Sequence, residues 1–375
     1  MTKILFLIHD LGEGGAEKVL VNLVNNMDTD KFDITVMTLF DVGVNKQFLN
    51  QSIKYKSCFS KMIRGNSHLM KLLSPKALHK WLIKDEYDIE VAYLEGPCAR
   101  VISGCQNTKT KLVSWIHIEQ KDEKRASASF RTVKESVKCY NRFHKIIMVS
   151  ETVKKDFTSL LPITTKTEVL YNTNESKKII ELASESIDND IFRKDEFKLV
   201  GVGKLLKSKG FDRLLKICKR LREEGYPVHL YILGKGPEEN NLKQYVKENN
   251  MDTYVDFLGY QTNPYKYVAK CDLFVCASHA EGFSTATTEA LIVGIPVCTV
   301  NVSGMKEMLG ENNEYGIITE NDEKSLCKGI KTVLDNPELL KYYVEKAGER
   351  GKIFSTEKTV KEVEKMFFSV LDKRM

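Results

Sequence analysis

Four short apolar segments in the second half of the chain each end in a glycine or a polar loop, and this repetition strongly constrains the fold. A helical spacing of apolar residues follows the first of them. Strands that alternate with helices throughout a chain predict an α/β fold with parallel sheets, whose strand ends meet at one edge. The segments are residues 199–203, 228–234, 255–259 and 273–278.

The chain is long enough for more than one domain. Its 375 residues exceed the usual size of a single core, and 42% hydrophobic residues suffice for two. The boundary between the first and the second domain falls near residues 171–174, before a polar stretch at 184–194. We predict a first domain at 1–174, a linker at 175–195 and a second domain at 196–355.

Glu281 and Glu289 lie eight positions apart around a predicted helix start, where Ser284 or Thr285 offers a capping hydroxyl. The loop should lie at the carboxyl end of a strand, beside helix N–H groups that suit a phosphate or sugar oxygen. An ionised Glu289 in an apolar helix needs a hydrogen-bonding partner, which a ribose diol could supply. Alternatively, Glu281 is a solvated loop acid and Glu289 pairs with a lysine.

Lys204 and Lys209 flank a predicted turn from strand to helix that begins at Gly203. Glycine allows the backbone to approach a ligand closely, and two cations there suit a diphosphate. The alternative is that both lysines belong to a solvated loop.

Taken together and in order, these motifs resemble those of the family-4 retaining glycosyltransferases (glycosyl transferases group 1), of the type that builds capsular or other surface polysaccharides. The order and spacing of the series are specific, although each motif alone is weak. The matching motifs are Gly203-Lys204…Lys209-Gly210, Gly234-Lys-Gly-Pro237, Val255-Asp-Phe-Leu-Gly259 and Glu281-Gly-Phe…Glu289-Ala290.

The resemblance implies a GT-B fold, with two Rossmann-like doubly wound parallel-sheet domains that face each other across a cleft. The first domain would lie on the acceptor side, and the second would bind the nucleotide sugar. A C-terminal helix within 356–375 would return to the first domain.

The resemblance also implies roles for individual residues. Lys204 and Lys209 would neutralise the donor diphosphate, Glu289 would bind the ribose, and Glu281 would hold the donor sugar and stabilise charge at its anomeric carbon. Glu281, His117 and Lys209 are the expected catalytic residues. The expected donor-binding residues are Gly14, Gly15, Gly203, Lys204, Lys209, Gly234, Tyr260, Glu281, Gly282, Phe283, Ser284, Thr285 and Glu289.

Lys204, Ser284 and the residues that follow His117 depart from the family pattern. Lys204 stands where many relatives have arginine, so the forked phosphate contact is lost. Ser284 stands where glycine is common, and its side chain could narrow the sugar site. His117 ends a predicted strand where family members place a histidine near the donor sugar, but Ile118 and Glu119 follow it instead of aspartate. We do not assign the role of catalytic base to Ile118 or Glu119. A lone histidine such as His117 is also a common structural hydrogen-bonding residue.

The glycine loop before the first predicted helix does not match a dinucleotide-binding fingerprint. Gly12 and Gly14 would require a glycine at position 17, where Glu17 stands. Asp41 alone still suggests a ribose-binding oxidoreductase, although it is more often a turn residue. In the resembled family, Gly14 and Gly15 face the donor phosphates and the acceptor.

We expect no cofactor and no metal. The sequence places no Asp-x-Asp cation signature in a sugar-site loop, and Lys204 and Lys209 can replace a metal at the diphosphate. The nine cysteines form no C-x-x-C pair, which is typical of a reduced, cytoplasmic protein.

The net charge of +6 is unevenly placed, since residues 42–84 contain no acid. Lysines from Lys46 to Lys84 alternate there with leucines and Trp81, a pattern typical of attachment to an anionic membrane. The alternative is an amphipathic helix packed on the first domain. No apolar run is long enough to span a bilayer, so we expect a peripheral protein on the inner face of the cell membrane. We expect no nucleic-acid partner.

The sequence favours a glycosyltransferase that moves a hexose or N-acetylhexosamine, from UDP-sugar by preference, to a lipid-linked or oligosaccharide acceptor in surface polysaccharide or glycolipid synthesis. The alternatives are a nucleotide-sugar epimerase of the same fold, an NAD-dependent oxidoreductase, and a non-catalytic protein with the same fold.

Overall fold

The computed structural model describes residues 1–12, 14–62, 65, 70–187 and 191–372. The chain forms two compact units. Met1–Asn174 and Thr356–Met375 make up the first unit, and Glu175–Ser355 makes up the second.

The first unit contains a seven-stranded parallel sheet with the strand order β3-β2-β1-β4-β5-β6-β7. The central strands are almost wholly buried, as expected when helices cover both faces of a parallel sheet. The strands are β1 (Thr2–Ile8), β2 (Phe32–Phe40), β3 (Lys54–Phe59), β4 (Ile89–Ala92), β5 (Lys111–Ile116), β6 (Lys145–Met148) and β7 (Thr167–Val169).

The helices of the first unit come from both ends of the chain. The last helix packs on α1, and its Phe367 ring contacts Phe6 and Phe32 in the sheet core. The helices of this unit are α1 (Gly15–Asn26), α2 (Pro75–Leu82), α3 (Pro97–Ile102), α4 (Glu123–Ala126), α5 (Val133–Tyr140), α6 (Glu151–Leu160) and the C-terminal α15 (Thr356–Val370).

The second unit contains a six-stranded parallel sheet with the order β10-β9-β8-β11-β12-β13. The strands are β8 (Phe197–Val202), β9 (Val228–Leu233), β10 (Val255–Gly259), β11 (Leu273–Cys276), β12 (Val297–Val300) and β13 (Ile317–Thr319). The helices are α7 (Ser176–Ala183), α8 (Phe211–Glu223), α9 (Glu239–Glu248), α10 (Tyr265–Val268), α11 (Thr285–Val293), α12 (Met305–Leu309), α13 (Glu323–Leu334) and α14 (Pro337–Gly351).

Both sheets share one topology: the first strand of each lies inside the sheet, and the chain winds outward from it in two directions. The strand order reverses between β1 and β4 in the first unit and between β8 and β11 in the second. In open parallel sheets, ligands bind at such switch points, outside the carboxyl ends of the strands.

The predicted linker at 175–195 is partly helical instead. Helix α7 packs against α10 and α11, and Ile179 is buried, so residues from Glu175 onward belong to the second unit. The sequence predicted a linker because residues 184–194 are polar and the apolar face of α7 just before them is short. Within that segment, 188–190 lie outside the described residues, as do 373–375 of the predicted C-terminal helix.

Candidate active site

The switch point of the second sheet brings two of the predicted motifs together. Gly203 and Lys204 follow β8, and the loop with Glu281 follows the neighbouring strand β11. Because both strands are parallel, their carboxyl ends open at the same edge. The motifs are therefore neighbours in space although more than seventy residues separate them in sequence.

Lys209 and Glu281 form a direct ion pair at this edge. The Lys209 ammonium lies 2.6 Å from one carboxylate oxygen of Glu281 and 2.8 Å from the other. Both side chains are largely buried, which strengthens their attraction compared with a surface pair. Lys204 lies exposed in the same loop. The second unit therefore presents a cation and a carboxylate that already neutralise each other, with a second cation beside them.

Ser278 and Arg213 hold the Glu281 loop in place. The Ser278 hydroxyl donates to Glu281 Oε1 at 2.6 Å. The Arg213 guanidinium, only 5% exposed, donates to the backbone oxygens of Ala277 at 2.6 Å and Ser278 at 2.7 Å. It also donates to Asn321 Oδ1 at 2.9 Å. Burial lowers the pKa of Arg213, so these hydrogen bonds offset a desolvation cost.

Two glycines at this edge are required by close backbone contacts. Gly210, at φ 65°, follows Lys209, and a Cβ there would lie 1.9 Å from the Ala277 oxygen. Gly234, at φ 138°, follows β9, and a Cβ there would lie 1.9 Å from the Gly203 oxygen. Any side chain at either position would push neighbouring strand ends apart.

The N-terminus of α11 is capped by Ser284. Its Oγ accepts from the Thr287 N–H at 3.3 Å and lies 3.0 Å from Thr287 Oγ1. Ser284 is 5% exposed, so its hydroxyl serves the helix, and narrowing of the sugar site by this side chain stays a prediction. Gly282 and Phe283 are buried just before the cap, and Thr285 is the first helical residue.

Glu289 lies on α11 and is 8% exposed. Its Oε1 accepts a hydrogen bond of 3.1 Å from the Tyr265 hydroxyl on α10. Tyr265 therefore satisfies part of the hydrogen-bonding demand that the sequence predicted for this carboxylate. Tyr260 follows β10 with an exposed side chain, so its backbone lies at the same sheet edge as the other predicted donor-binding residues.

The remaining predicted residues lie in the first unit. Gly14 caps α1, which begins at Gly15 directly after the loop that follows β1. His117 follows β5 and is 6% exposed. Burial lowers its pKa to about 3, so the imidazole is neutral at ordinary pH.

Asp41 follows β2 and is already engaged. Its Oδ1 accepts from Lys46 at 2.8 Å and from the Tyr55 hydroxyl at 2.7 Å. The hydrogen bond from Lys46 is the main cause that lowers the pKa of Asp41. Asp41 is therefore held at the carboxyl end of β2 by its hydrogen bonds with Lys46 and Tyr55.

Arg213, Ser278 and Tyr265 were not predicted from the sequence. Arg213 gave no clear signal, because in α8 it lies across the helix from the apolar residues Phe211, Leu214 and Cys218. Its hydrogen-bond partners come from a distant strand end, so the sequence could not identify them.

The described residues include one compact group of possible metal ligands, which belongs to the first unit. Ligand atoms of His79, Glu90 and Cys105 lie within 4.8 Å of one another. His79 Nε2 is 2.7 Å from Glu90 Oε2, and the Cys105 thiol is 3.8 Å from Glu90 Oε1. These side chains satisfy one another by hydrogen bonding, so the group forms a buried polar contact between α2, β4 and the turn after α3.

A search of the described helices found none with the length and apolar content needed to cross a bilayer.

Comparison with known proteins assigns both halves of the chain to one class of enzymes. Residues 13–173 match the Glycosyltransferase Family 4 model, and residues 184–350 match the Glycosyl transferases group 1 model.

A similar curated relative is the N-acetylgalactosamine-N,N'-diacetylbacillosaminyl-diphospho-undecaprenol 4-alpha-N-acetylgalactosaminyltransferase of Campylobacter jejuni. It is 29% identical over 96% of this chain and 98% of its own length. The capsular polysaccharide biosynthesis glycosyltransferase CapM of Staphylococcus aureus is 28% identical over 60% of this chain and 62% of its own.

Solved structures show the same fold. Anabaena HepE in complex with UDP and glucose superposes with a TM-score of 0.76 and 20% identity, over 98% of this chain and 100% of that one. The Campylobacter and Staphylococcus relatives are named as glycosyltransferases, which favours transfer over the epimerase and oxidoreductase alternatives. The chain therefore belongs to the family-4 glycosyltransferases, the glycosyl transferases group 1, and is a retaining glycosyltransferase with the GT-B fold.

Proposed function

We propose that this enzyme transfers a hexose or N-acetylhexosamine from a UDP-sugar to a lipid-linked or glycan acceptor in the synthesis of a surface polysaccharide or glycolipid. The ion pair of Lys209 and Glu281 at the switch point is the observation that carries the proposal. The Campylobacter relative is named for a diphospho-undecaprenol acceptor, and HepE binds UDP in its complexes. The name of the Campylobacter relative supports a lipid-linked acceptor, and the HepE complexes support a UDP-sugar donor.

The paired charges suit a donor that brings its own negative charge. A diphosphate would attract Lys209 and the exposed Lys204, and this would release Glu281 to accept hydroxyls of the donor sugar. Glu289, held by Tyr265, would accept the ribose hydroxyls. The backbone near Tyr260 would meet the base, and the amides of Phe283, Ser284 and Thr285 would approach the sugar and phosphate.

The chemical step that suits this arrangement is a front-face substitution. The acceptor oxygen forms a bond to the anomeric carbon as the bond from that carbon to the diphosphate oxygen breaks, and the departing phosphate takes the acceptor proton. Enzyme groups then contribute through positioning and charge stabilisation. Lys209 stabilises the leaving diphosphate, and Glu281 holds the donor sugar.

The reaction needs no metal in this proposal, because Lys204 and Lys209 supply positive charge at the diphosphate. Transfer should therefore continue in EDTA. Loss of transfer on chelation, with recovery on adding manganese, would contradict this part of the proposal.

The donor site is tested by thermal stabilisation with UDP, GDP, ADP, CMP and NAD. A ligand at about 100 times its Kd contributes roughly 2.7 kcal/mol, enough to rank the nucleotides. We expect the largest shift with UDP, and we expect it to be abolished in Lys209→Ala and Glu289→Ala variants that retain the parent fold. Stabilisation by NAD alone would overturn the proposal. Product analysis then separates transfer from epimerisation of the donor.

The second part of the proposal is attachment to the inner face of the cell membrane through residues 46–84. Described side chains in this segment leave apolar surface exposed, with Leu72 76% and Trp81 51% exposed. Lys76 and Lys80 are exposed on α2 beside them, while Leu78 is buried beneath. Helix α2 thus packs on the first unit through the side that carries Leu78. Its other side exposes basic and apolar side chains to solvent. Residues 63–64 and 66–69 lie outside the described residues.

Co-sedimentation with vesicles rich in phosphatidylglycerol tests this attachment at low and high salt. Each lysine near an anionic surface contributes about 1 kcal/mol, so the pair Lys76→Gln and Lys80→Gln should weaken binding about 30-fold. The pair Lys324→Gln and Lys328→Gln, exposed on α13 with the same spacing, is the matched control. Equal losses in both pairs, or no binding by the parent protein, would refute attachment through this segment.

A further inference from the structure

The switch point of the first sheet carries a carboxylate to which nothing above assigns a role. Glu95 follows β4, and β4 lies between β1 and β5 in the sheet. The reversal of strand order between β1 and β4 places Glu95 in the position that ligands commonly occupy in this topology. The equivalent position of the second unit, after β11, carries Glu281.

Glu95 is held against the next strand end. Its Oε2 accepts from the His117 N–H at 3.0 Å. The side chain is half-buried, and burial raises the pKa of this carboxyl, although the His117 N–H opposes that effect. A carboxylate has lone pairs for about four donors, so Glu95 has the capacity to bind hydroxyl groups while it keeps this contact.

His117 offers a second acceptor at the same edge. Its buried Nε2 has no hydrogen-bond partner among the described residues, although the imidazole bonds to the backbone of Tyr93. Because Nε2 is not in that bond, Nδ1 is the donor to Tyr93, and the neutral ring leaves a lone pair on Nε2. A buried polar atom without a partner is costly, and a ligand that donates a hydrogen bond would remove that cost.

The surroundings favour a sugar over a phosphate. The Tyr93 ring lies 4.8 Å from the His117 ring and 5.1 Å from that of Trp115, measured between ring centres. These rings are buried, with Tyr93 1% and Trp115 2% exposed, so a ligand would meet the two acceptors, Glu95 and His117 Nε2, which suit hydroxyl donors. The carboxylate of Glu95 would repel a phosphate, whereas the paired charges of Lys209 and Glu281 would exchange with one.

We propose that Glu95 binds a hydroxyl of the acceptor sugar at the switch point of the first sheet, beside His117, and that it helps to select the acceptor. The inference rests on the proposed transfer to a glycan acceptor. It adds a residue that the sequence motifs did not identify.

The test compares Glu95→Gln with Glu86→Gln. Glu86 is exposed before the amino end of β4, so its substitution removes an equal charge from the opposite end of the same strand. The test acceptor is the compound in the name of the Campylobacter relative, N-acetylgalactosaminyl-N,N'-diacetylbacillosaminyl-diphospho-undecaprenol. The test donors are UDP-N-acetylgalactosamine, UDP-N-acetylglucosamine, UDP-glucose and UDP-galactose. We measure acceptor KM, donor KM and stabilisation by UDP for each variant.

Glu95→Gln should raise the acceptor KM about tenfold or more, because a charge-assisted hydrogen bond becomes a neutral one. Donor KM and the UDP-induced shift should remain those of the parent, and Glu86→Gln should change none of them. An unchanged acceptor KM would overturn the role of Glu95, as would an equal loss of UDP stabilisation, which indicates a merely structural effect. A parent enzyme that binds UDP but transfers no sugar to this acceptor would refute the proposed acceptor class, and the inference about Glu95 would fall with it.

Discussion

The two sheets have the same strand order and present different chemistry at the same topological position. In the second unit, Lys209 and Glu281 are paired ions within a loop that a buried arginine holds. In the first unit, the neutral imidazole of His117 lies against an aromatic ring, and Glu95 accepts a backbone N–H. One architecture therefore serves a site that can exchange charge with a diphosphate and a site that offers hydrogen-bond acceptors to hydroxyl groups.

Under the proposed function, topology determines where a ligand binds, and side chains determine which ligand it is. A parallel sheet places strand ends together whatever their sequence, and the dipoles of the following helices are similar. The charge balance at each edge comes from a few residues. If this comparison is correct, substitutions at the carboxyl edge of the sheet in the second unit should affect donor phosphate binding most strongly.

The largest effect should come from Lys209→Ala. This change removes the cation from the leaving diphosphate and leaves Glu281 without its ionic partner, so kcat/KM should fall about 100- to 1,000-fold. Steady-state kinetics with a saturating acceptor would measure it. Lys207→Ala is the control, since Lys207 is exposed in the same short turn. Comparable losses in the two variants would mean that general loop charge, and not the pair with Glu281, determines activity.

The next effect concerns the support of that edge. Arg213→Met should lower the free energy of unfolding by about 3 kcal/mol, because it leaves the buried oxygens of Ala277 and Ser278 without their donor. Urea unfolding followed by intrinsic fluorescence would measure it, and transfer should fall because Glu281 loses its fixed position. Arg220→Met, on the exposed face of α8, should cost less than about 0.5 kcal/mol. Similar costs for the two would contradict the anchoring role of Arg213.

A smaller effect tests the ribose contact. Tyr265→Phe removes one hydrogen bond to Glu289 and should raise the Kd for UDP about fivefold, equivalent to about 1 kcal/mol. Isothermal titration calorimetry would measure the change. Tyr267→Phe, on the same short helix, should bind UDP like the parent. An unchanged Kd in Tyr265→Phe would show that Glu289 does not depend on this hydroxyl for its position.

The last prediction concerns a charge in the first unit that stabilises the fold and lies outside the proposed ligand site. Burial alone would lower the pKa of His79, but hydrogen bonds with Cys105 and Glu90 raise it to about 9. A raised pKa stabilises the folded state below the unfolded value of about 6.5, and this contribution disappears as pH rises through about 9. We therefore expect Tm to fall more steeply between pH 6.5 and 9.5 in the parent than in His79→Gln. Parallel Tm curves would refute this dependence.

Local patterns were sufficient to predict much of the second unit. The segments at 199–203, 228–234, 255–259 and 273–278 carry strand, turn and helix signals within a few residues of one another, and the structure has strands there. The helix predicted after Ser284 begins at Thr285 with Ser284 as its cap. Such features depend on short-range backbone preferences and hydrogen bonds, which neighbouring residues specify.

Contacts between distant residues could not be read in the same way. Lys209 is paired with Glu281, Arg213 holds the oxygens of Ala277 and Ser278, and Glu95 is bound by the N–H of His117. Each contact joins strand ends that only the order of strands brings together. The polar stretch at 184–194 misled the prediction for the same reason, since the burial of α7 depends on α10 and α11, which follow much later in the chain.

The sequence by itself determined the alternation of strands and helices, the family, and the residue types available at each strand end. Periodicity and glycine spacing are local properties, and the motif series from Gly203 to Glu289 is linear. The tertiary structure alone decided which charges are neutralised and which acceptors stay unpaired, because desolvation and hydrogen bonding depend on atoms from remote segments. The neutral state of His117 and the position of Glu95 are consequences of packing, and no local pattern encodes them.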